Sequence, residues 1–311
     1  MKRLFRLLIG RRARRLALVL LIAATALTMY NVICGALANR GDARAPRDPE
    51  TKILVGAEEL RLGPEDAKTA VLLVHGFIGG SNNFAELPQR LASEGYFVDA
   101  MRLPGHGTSP RDFAREEPQA LLQAVLNEIR ALKKSHERVF VVGHSMGGSL
   151  TALASSIEGV DGVVLAAPCF GVTHKWYYVL PPEVWARLTG PIVRWYYKGD
   201  HFIRVKRREV KDEIFSYRWV HSNCTRTLLT LRERARLPEV LDAIECPVLV
   251  LQGRGDNAAD PGATESAFAD IGSSDKRFVW LEDSDHHVFW DNDREQVYEA
   301  ILTFIKGSTL Q

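Results

Sequence analysis

The body of this chain is predicted to be an α/β fold: a mostly parallel, twisted sheet with helices on both faces, an inserted cap, and an apolar helix ahead of it. Three observations predict it. Short Val- and Leu-rich runs without alternation recur between residues 71 and 281, which suits strands buried on both faces. Helical patterns fall between these runs, and strands alternating with helices imply a parallel sheet. Residues 16–38 then hold 23 consecutive positions without a charge, enough for a helix to span a hydrocarbon layer.

The elements follow in order. Residues 1–15 carry seven basic side chains and no acid, and such an arm stays on the cytoplasmic side, which places the rest on the other face of the membrane. Residues 16–38 read as a retained signal anchor, because the apolar stretch exceeds a usual signal-peptide core. Cleavage after Ala36-Leu37-Ala38, giving a secreted protein, is the alternative, and a buried core helix fits the polybasic flank worst. A lipoprotein signal is disfavoured by Ile33 before Cys34. Residues 39–51 are polar, charged and Pro-containing, and read as a linker. Strands are expected at Val71–His75, Phe97–Met101, Val139–Val142, Gly162–Ala167, Val248–Leu251 and Arg277–Leu281. Helices are expected at Gln119–Lys133, Ala263–Ala269 and Arg294–Ile305. The stretch from about 170 to 240 breaks the rhythm and is read as the cap within a domain spanning 52–311.

Charge narrows the function classes. The chain holds 40 basic and 38 acidic residues. Without the N-terminal arm 33 basic residues face 38 acidic ones, so the body is mildly acidic and nothing asks for a nucleic acid as partner. Cys34, Cys169, Cys224 and Cys246 show no metal or redox spacing. Cys34 lies in the apolar segment, and the other three could make at most one bridge, with buried free thiols the plainer reading.

The chemistry is carried by Gly143-His144-Ser145-Met146-Gly147-Gly148, set between an apolar strand and a helical pattern. A strand turning sharply into a helix forces its central residue into strain, and glycines two positions away on either side let the backbones pass. Ser145 would then project at the carboxyl end of the sheet, beside a helix N-terminus that favours developing negative charge. A bare G-x-S-x-G is a weak signal; with a strand before, a helix after and an extra glycine it is a strong one.

A tetrahedral oxyanion needs two convergent N–H donors, one after the nucleophile and one from an earlier loop. Met146 and Phe77, the latter in His75-Gly76-Phe77 after a strand, occupy those places. Losing one such donor costs about 2.7–4 kcal/mol of barrier. The plainer reading of His75-Gly76 is a tight turn. A serine also needs an imidazole oriented by a carboxylate. Asp256 follows the strand Val248–Leu251, with Asp260 as fallback, and the doublet His286-His287 follows Phe278–Leu281. His287 stays open as the base at this point, and Asp283 and Asp285 read as solvated loop charges.

From about Ile53 to Leu310 the chain resembles the α/β-hydrolases of the bacterial carboxylesterase and monoacylglycerol-lipase group, also labelled serine aminopeptidase-like. The resemblance rests on His75-Gly76-Phe77, Leu103-Pro104-Gly105-His106-Gly107-Thr108-Ser109, Gly143–Gly148, Gly253-Arg254-Gly255-Asp256 and Ser284-Asp285-His286, all in order. It favours His286 over His287, because Ser284-x-His286 with Asp291 five residues on and a helix after it fits the family pattern, and implies that the loop at 103–109 lines the outer rim of the site. It further implies acyl transfer to water through Ser145, Asp256 and His286, on a small-molecule or lipid ester, with no metal or organic cofactor. The cap matches no subfamily.

Two aromatic clusters, Trp176-Tyr177-Tyr178 and Trp195-Tyr196-Tyr197, and seven basic residues between Arg194 and Lys211 would suit an acyl tunnel with a basic rim. The plainer reading, preferred here, is cap packing and a solvated face. A peptidase, amidase or acyltransferase would use the same three residues. A membrane-tethered binding module on an inert scaffold is the reading of a different class, and acyl length, physiological substrate and oligomeric state are not encoded legibly.

Overall fold

The computed structural model describes residues 2–175, 179–199 and 203–308, with side chains from residue 12 onward. The cluster Trp176-Tyr177-Tyr178 therefore lies outside the described residues.

The strands in chain order are β1 (Leu60–Leu62), β2 (Thr69–Val74), β3 (Phe97–Met101), β4 (Arg138–His144), β5 (Gly162–Ala166), β6 (Trp195–Tyr197), β7 (Trp219–His221), β8 (Val248–Gly253) and β9 (Lys276–Leu281). Seven of them form one sheet in the order β1-β3-β2-β4-β5-β8-β9. Every pairing in it is parallel except β1 with β3. All six predicted strands are present. The antiparallel β1 was not expected: three residues on a half-exposed edge leave no apolar run to read.

The sheet is covered on both faces, and its side chains alternate accordingly. Ala70, Leu72, Val74, Val139, Val141, Val163, Leu165, Val248 and Val250 point to the layer holding α4 (Pro118–Ser135) and α5 (Met146–Ser155). Val71, Leu73, Val98, Val142, Val164 and Leu251 point to α2 (Leu87–Ser93) and α10 (Arg294–Ser308). α4 buries Leu121, Leu122, Val125, Leu126, Ile129 and Leu132, the one-sided stripe of an amphipathic helix. α5 is buried along all ten residues. The short α3 (Pro110–Phe113) and α9 (Pro261–Asp270) complete this part.

Between β5 and β8 the chain forms the cap: α6 (Pro182–Thr189), the antiparallel pair β6 and β7, then α7 (Ser222–Ala235) and α8 (Pro238–Asp242). α7 is as much core as cap, since Cys224, Leu231 and Ala235 join the cluster around α5. α6 buries none of its residues and is tied to α7 by the Glu183–Arg232 ion pair, 2.5 Å long and largely shielded from solvent.

The N-terminal helix α1 runs from Lys2 to Arg44, and its stretch from Arg12 is long and apolar enough to cross a membrane. The predicted linker is thus corrected at its start, because residues 39–44 are helical. Contact with the body holds them so. Asn39 Oδ1 accepts from Arg111 Nε at 2.5 Å, Cys34 and Ala38 pack on Trp195, and Gly41 lies against Trp219.

Candidate active site

Chain order places the site. β2 has β3 on one side and β4 on the other, and the crevice beyond the carboxyl ends of strands at such a reversal is where open α/β sheets bind ligands. The loops after β2 and β4 carry Phe77 and Ser145.

Ser145 sits between the last residue of β4 and the first of α5 with φ 55° and ψ −117°, a strained conformation for a residue with a side chain, costing about 1–3 kcal/mol. Its N–H donates to Ala166 O at 3.0 Å and its carbonyl accepts from Cys169 N at 3.0 Å, so both neighbours hold the turn. The flanking glycines are steric requirements. A Cβ on Gly143 would stand 2.4 Å from Gly147 O, and one on Gly147 1.9 Å from Val74 O.

His286 Nε2 lies 2.8 Å from Ser145 Oγ, and His286 Nδ1 lies 2.9 Å from Asp256 Oδ2. A carboxylate only accepts, so Nδ1–H donates to Asp256, and Nε2 faces the serine hydroxyl. Asp256 is held in turn by Ala258 N and Ala259 N on Oδ1, both at 2.8 Å, and by Gln252 Nε2 on Oδ2 at 3.0 Å. All three side chains are buried, and Ser145 and His286 line a cavity of about 450 Å³. A hydroxyl, an imidazole and a fixed carboxylate in this line can activate oxygen for attack on a carbonyl.

The other acidic and histidine candidates fall elsewhere. His287 lines the cavity, but its N–H donates to Arg204 O at 3.0 Å and its Nδ1 has no partner among the described residues. Burial, with His144, His286 and Lys198 nearby, holds that ring well below the usual imidazole range. Asp260 caps α9 by accepting from Gly262 N. Asp283 is exposed and pairs with Lys206 at 2.9 Å. Asp285, expected to be solvated, is buried instead and accepts from Asn257 N, Asn257 Nδ2 and His286 N at 2.8, 3.0 and 2.9 Å. It knits the His286 loop to the Asp256 loop.

Met146 is the first residue of α5, directly after Ser145, and Phe77 follows Gly76 in the loop after β2. A Cβ on Gly76 would lie 3.2 Å from Ser145 Cβ, so the loop after β2 presses on the nucleophile turn. Among the described residues neither the Phe77 nor the Met146 N–H has a backbone acceptor. That loop is braced from below. His75 Nδ1–H donates to Gly76 O at 2.9 Å while Nε2 accepts from Leu103 N at 3.1 Å, and burial pushes its pKa down to about 4. His106 packs edge-on against His75 at 4.8 Å and is fully buried. The loop at 103–109 is thus a support under the site, at least at His106, and not only an outer rim.

Three contributors were not singled out from sequence. His144 Nε2–H donates to His286 O at 3.1 Å, and burial with the neighbouring His286 brings its pKa down to about 3, so it is neutral. Asn83 Oδ1 accepts from Gly76 N at 3.2 Å. Asp291 accepts from Lys206 N, Arg207 N and Asp285 N at 2.7–3.1 Å. Only Asp291 had left a trace, through its spacing from His286. Within the basic stretch of the cap, Lys206 and Arg207 bind the body in this way, whereas Lys198 and Arg204 line the cavity. Of the second aromatic cluster, Trp195 is buried and Tyr197 exposed. Among the described residues no cluster of three or more His, Cys, Asp or Glu has a metal-site arrangement, and all four cysteines are free thiols.

Comparison with known proteins places the fold in a family. Residues 65–293 match the family described as serine aminopeptidase, S33. A thermostable monoacylglycerol lipase of Bacillus sp. (strain H-257) is 31% identical over 254 residues, which make up 81% of this chain and 95% of that protein. A carboxylesterase of Bacillus subtilis (strain 168) is 24% identical over 239 residues, 76% of this chain and 92% of that one. Among solved structures, a metagenome-derived lipolytic enzyme superposes with a TM-score of 0.72 at 28% identity, covering 82% of this chain and 99% of its own. The monoacylglycerol lipase of Paleococcus ferrophilus shares the fold, with a TM-score of 0.68 at 21% identity over 81% of this chain and 98% of its own. The chain belongs to the serine aminopeptidase S33 family of the α/β-hydrolase fold and is a serine hydrolase of the esterase and lipase type.

Proposed function

We propose that the protein hydrolyses carboxylic esters of lipids at a membrane surface, through an acyl-enzyme on Ser145. Ser145 Oγ attacks the ester carbonyl carbon while His286 Nε2 takes its proton and Asp256 steadies the resulting imidazolium. The N–H groups of Phe77 and Met146 receive the oxyanion. Collapse breaks the bond to the alcohol oxygen, which leaves with the proton from His286. Water, activated by the same nitrogen, then adds to the acyl carbon and releases the carboxylic acid and Ser145. The observation that carries this reading is the unbroken chain Ser145–His286–Asp256 at 2.8 and 2.9 Å.

An aminopeptidase reading lacks one requirement. A peptide N-terminus is an ammonium and calls for an acidic partner, whereas the described lining of the cavity holds no Asp or Glu and two cations, Lys198 and Arg204.

The membrane part of the proposal follows from the packing of α1. Tyr30 OH donates to Trp195 O, Asn31 Nδ2 donates to Ile192 O, and Asn31 Oδ1 accepts from Arg194 N. Of the uncharged stretch only Leu16–Met29 precede these contacts, a length of about 21 Å at 1.5 Å per residue, short of a hydrocarbon layer of about 30 Å. The cap edge bearing Trp185, Leu188 and Ile192, which are 43%, 57% and 51% exposed, is thereby drawn to the bilayer, and Trp185 lines the cavity. Loss of the helix after Ala38 would uncover Trp195, which favours a retained anchor. The basic arm orients the domain to the non-cytoplasmic side.

The test is hydrolysis of p-nitrophenyl butyrate by the full chain in neutral detergent, with Ser145→Ala as control and a fluorophosphonate label on Ser145. Turnover by the wild type and its loss in Ser145→Ala are expected; full activity in the variant, or an unlabelled wild type without turnover, overturns the reading.

A further inference from the structure

We propose that the cavity is built for esters whose leaving alcohol carries an anionic group, a phosphate monoester or a carboxylate, held by Lys198 and Arg204. This rests on the ester-hydrolase reading and names the substrate class for it.

Lys198 follows β6 directly, and its backbone N–H donates to Arg218 O at 2.7 Å, fixing where the side chain starts. Its ammonium lies 5.9 Å from the Phe77 ring centroid, over the loop beside Ser145. Arg204 lines the same cavity, and its carbonyl accepts the His287 N–H. Among the described residues lining the cavity none is acidic, and Lys198 Nζ makes no hydrogen bond or ion pair with a described residue. A half-buried ammonium kept without an anion and beside a second cation is unfavourable in itself. Burial, with Arg204 adding repulsion, pushes Lys198 down to about 8, so it is still largely charged at neutral pH. His287 Nδ1, buried and unpartnered among the described residues, is a further polar atom on the same wall. An incoming anion would relieve the charge on Lys198.

The side of the ester follows from the proton's route. His286 Nε2 hands its proton to the leaving oxygen, so the leaving group passes over His286. His287 is the next residue, interacts electrostatically with Lys198 and touches Arg204 through its backbone. The cations therefore flank the alcohol. The apolar wall of Val172, Pro182, Trp185 and Leu228 suits the acyl chain.

The experiment compares kcat/KM of the full chain in neutral detergent on 1-hexanoylglycerol, 1-hexanoylglycerol 3-phosphate, the hexanoyl ester of glycolic acid and the glycerol monoester of glutaric acid. The first is neutral, the next two place phosphate or carboxylate on the alcohol, and the last places the anion on the acyl side. Wild type is expected to prefer at least one alcohol-side anion over the neutral ester by about tenfold or more, the scale of one charge-assisted contact. That ratio should collapse in Lys198→Met and persist in Lys198→Arg, which keeps the charge. Which of the two esters wins identifies phosphate or carboxylate as the source. A preference for the neutral or the acyl-side anionic ester, or a ratio unchanged in Lys198→Met, overturns the inference while leaving ester hydrolysis intact. Absent turnover of p-nitrophenyl butyrate by wild type overturns the hydrolase reading itself.

Discussion

Both carboxylate oxygens of Asp291 lie against the backbone N–H of Lys206, at 3.0 and 2.9 Å. The same carboxylate accepts from Arg207 N at 3.1 Å and Asp285 N at 2.7 Å, so one buried side chain joins the cap to the loop that carries His286. Asp291 touches no reacting atom and acts through that loop.

Asp291→Asn replaces one acceptor by a donor facing N–H groups, which leaves at least one of them unsatisfied. Unfolding free energy should fall by about 1–3 kcal/mol. Because the His286 loop loosens, kcat should fall about tenfold or more, and labelling of Ser145 by a fluorophosphonate should slow in parallel. A variant that is destabilised but labels at the wild-type rate would make Asp291 structural only.

Gly147→Ala tests the turn. The added Cβ would fall 1.9 Å from Val74 O, in the backbone of the central strand, and neither side can yield without breaking the sheet. Loss of more than about 3 kcal/mol is expected, read as a collapse of soluble yield or a large drop in the urea midpoint. Gly159→Ala is the control, with nothing within 4 Å of its Cβ; its midpoint should stay near wild type.

These two residues also mark what the sequence made legible. Gly147 belongs to a local rule, in which strand, turn and helix are contiguous, so its role could be read without coordinates. Ser145, Asp256 and His286 each followed a strand end, and strand ends are what an apolar run reveals. Asp291 and Lys198 obey no local rule. Their roles depend on where a 70-residue insertion returns to the body, and nothing in the periodicity of 194–211 tells a cation that binds Asp291's loop from one that lines the cavity. The solvated reading of Asp285 failed for the same reason, since its partner Asn257 is 28 residues away. The anchor's overrun to Arg44 was hidden because polar residues 39–44 look like a linker until Arg111 and Trp219 are brought to them.

Acid should destabilise the protein through its histidines. His75 and His144 are held down to about 4 and 3 by burial, and His106 and His287 lie well below the usual range for the same reason. All four stay neutral in the fold but bind protons once unfolded, so between about pH 6.5 and pH 4 the unfolded chain holds more protons and stability falls as pH falls. Asp99 works the other way: burial raises it to about 7, and it releases a proton on unfolding. At pH 5.5 roughly two to three protons should be taken up per molecule unfolded in urea. Uptake near zero would mean that these rings are already charged in the fold.

Lys198 should cost stability in the ligand-free protein. Below about pH 8 the ammonium is charged in both folded and unfolded chains, and the fold bears the whole penalty of enclosing it. Between about 8 and the ordinary lysine value of 10.5 the folded protein sheds the proton first, so its stability rises with pH relative to a chain without the group. Lys198→Met should therefore be more stable than wild type at pH 7, by on the order of 1–2 kcal/mol after allowing for partial solvent screening, and this advantage should shrink toward zero by about pH 10.5. Urea midpoints of the two proteins across pH 7 to 10.5 read it directly. A gain equal at both ends would come from the packing of methionine and not from relief of charge. A loss at pH 7 would mean that the ammonium already has an anionic partner in the free protein, which would also remove the reason for expecting one on the substrate.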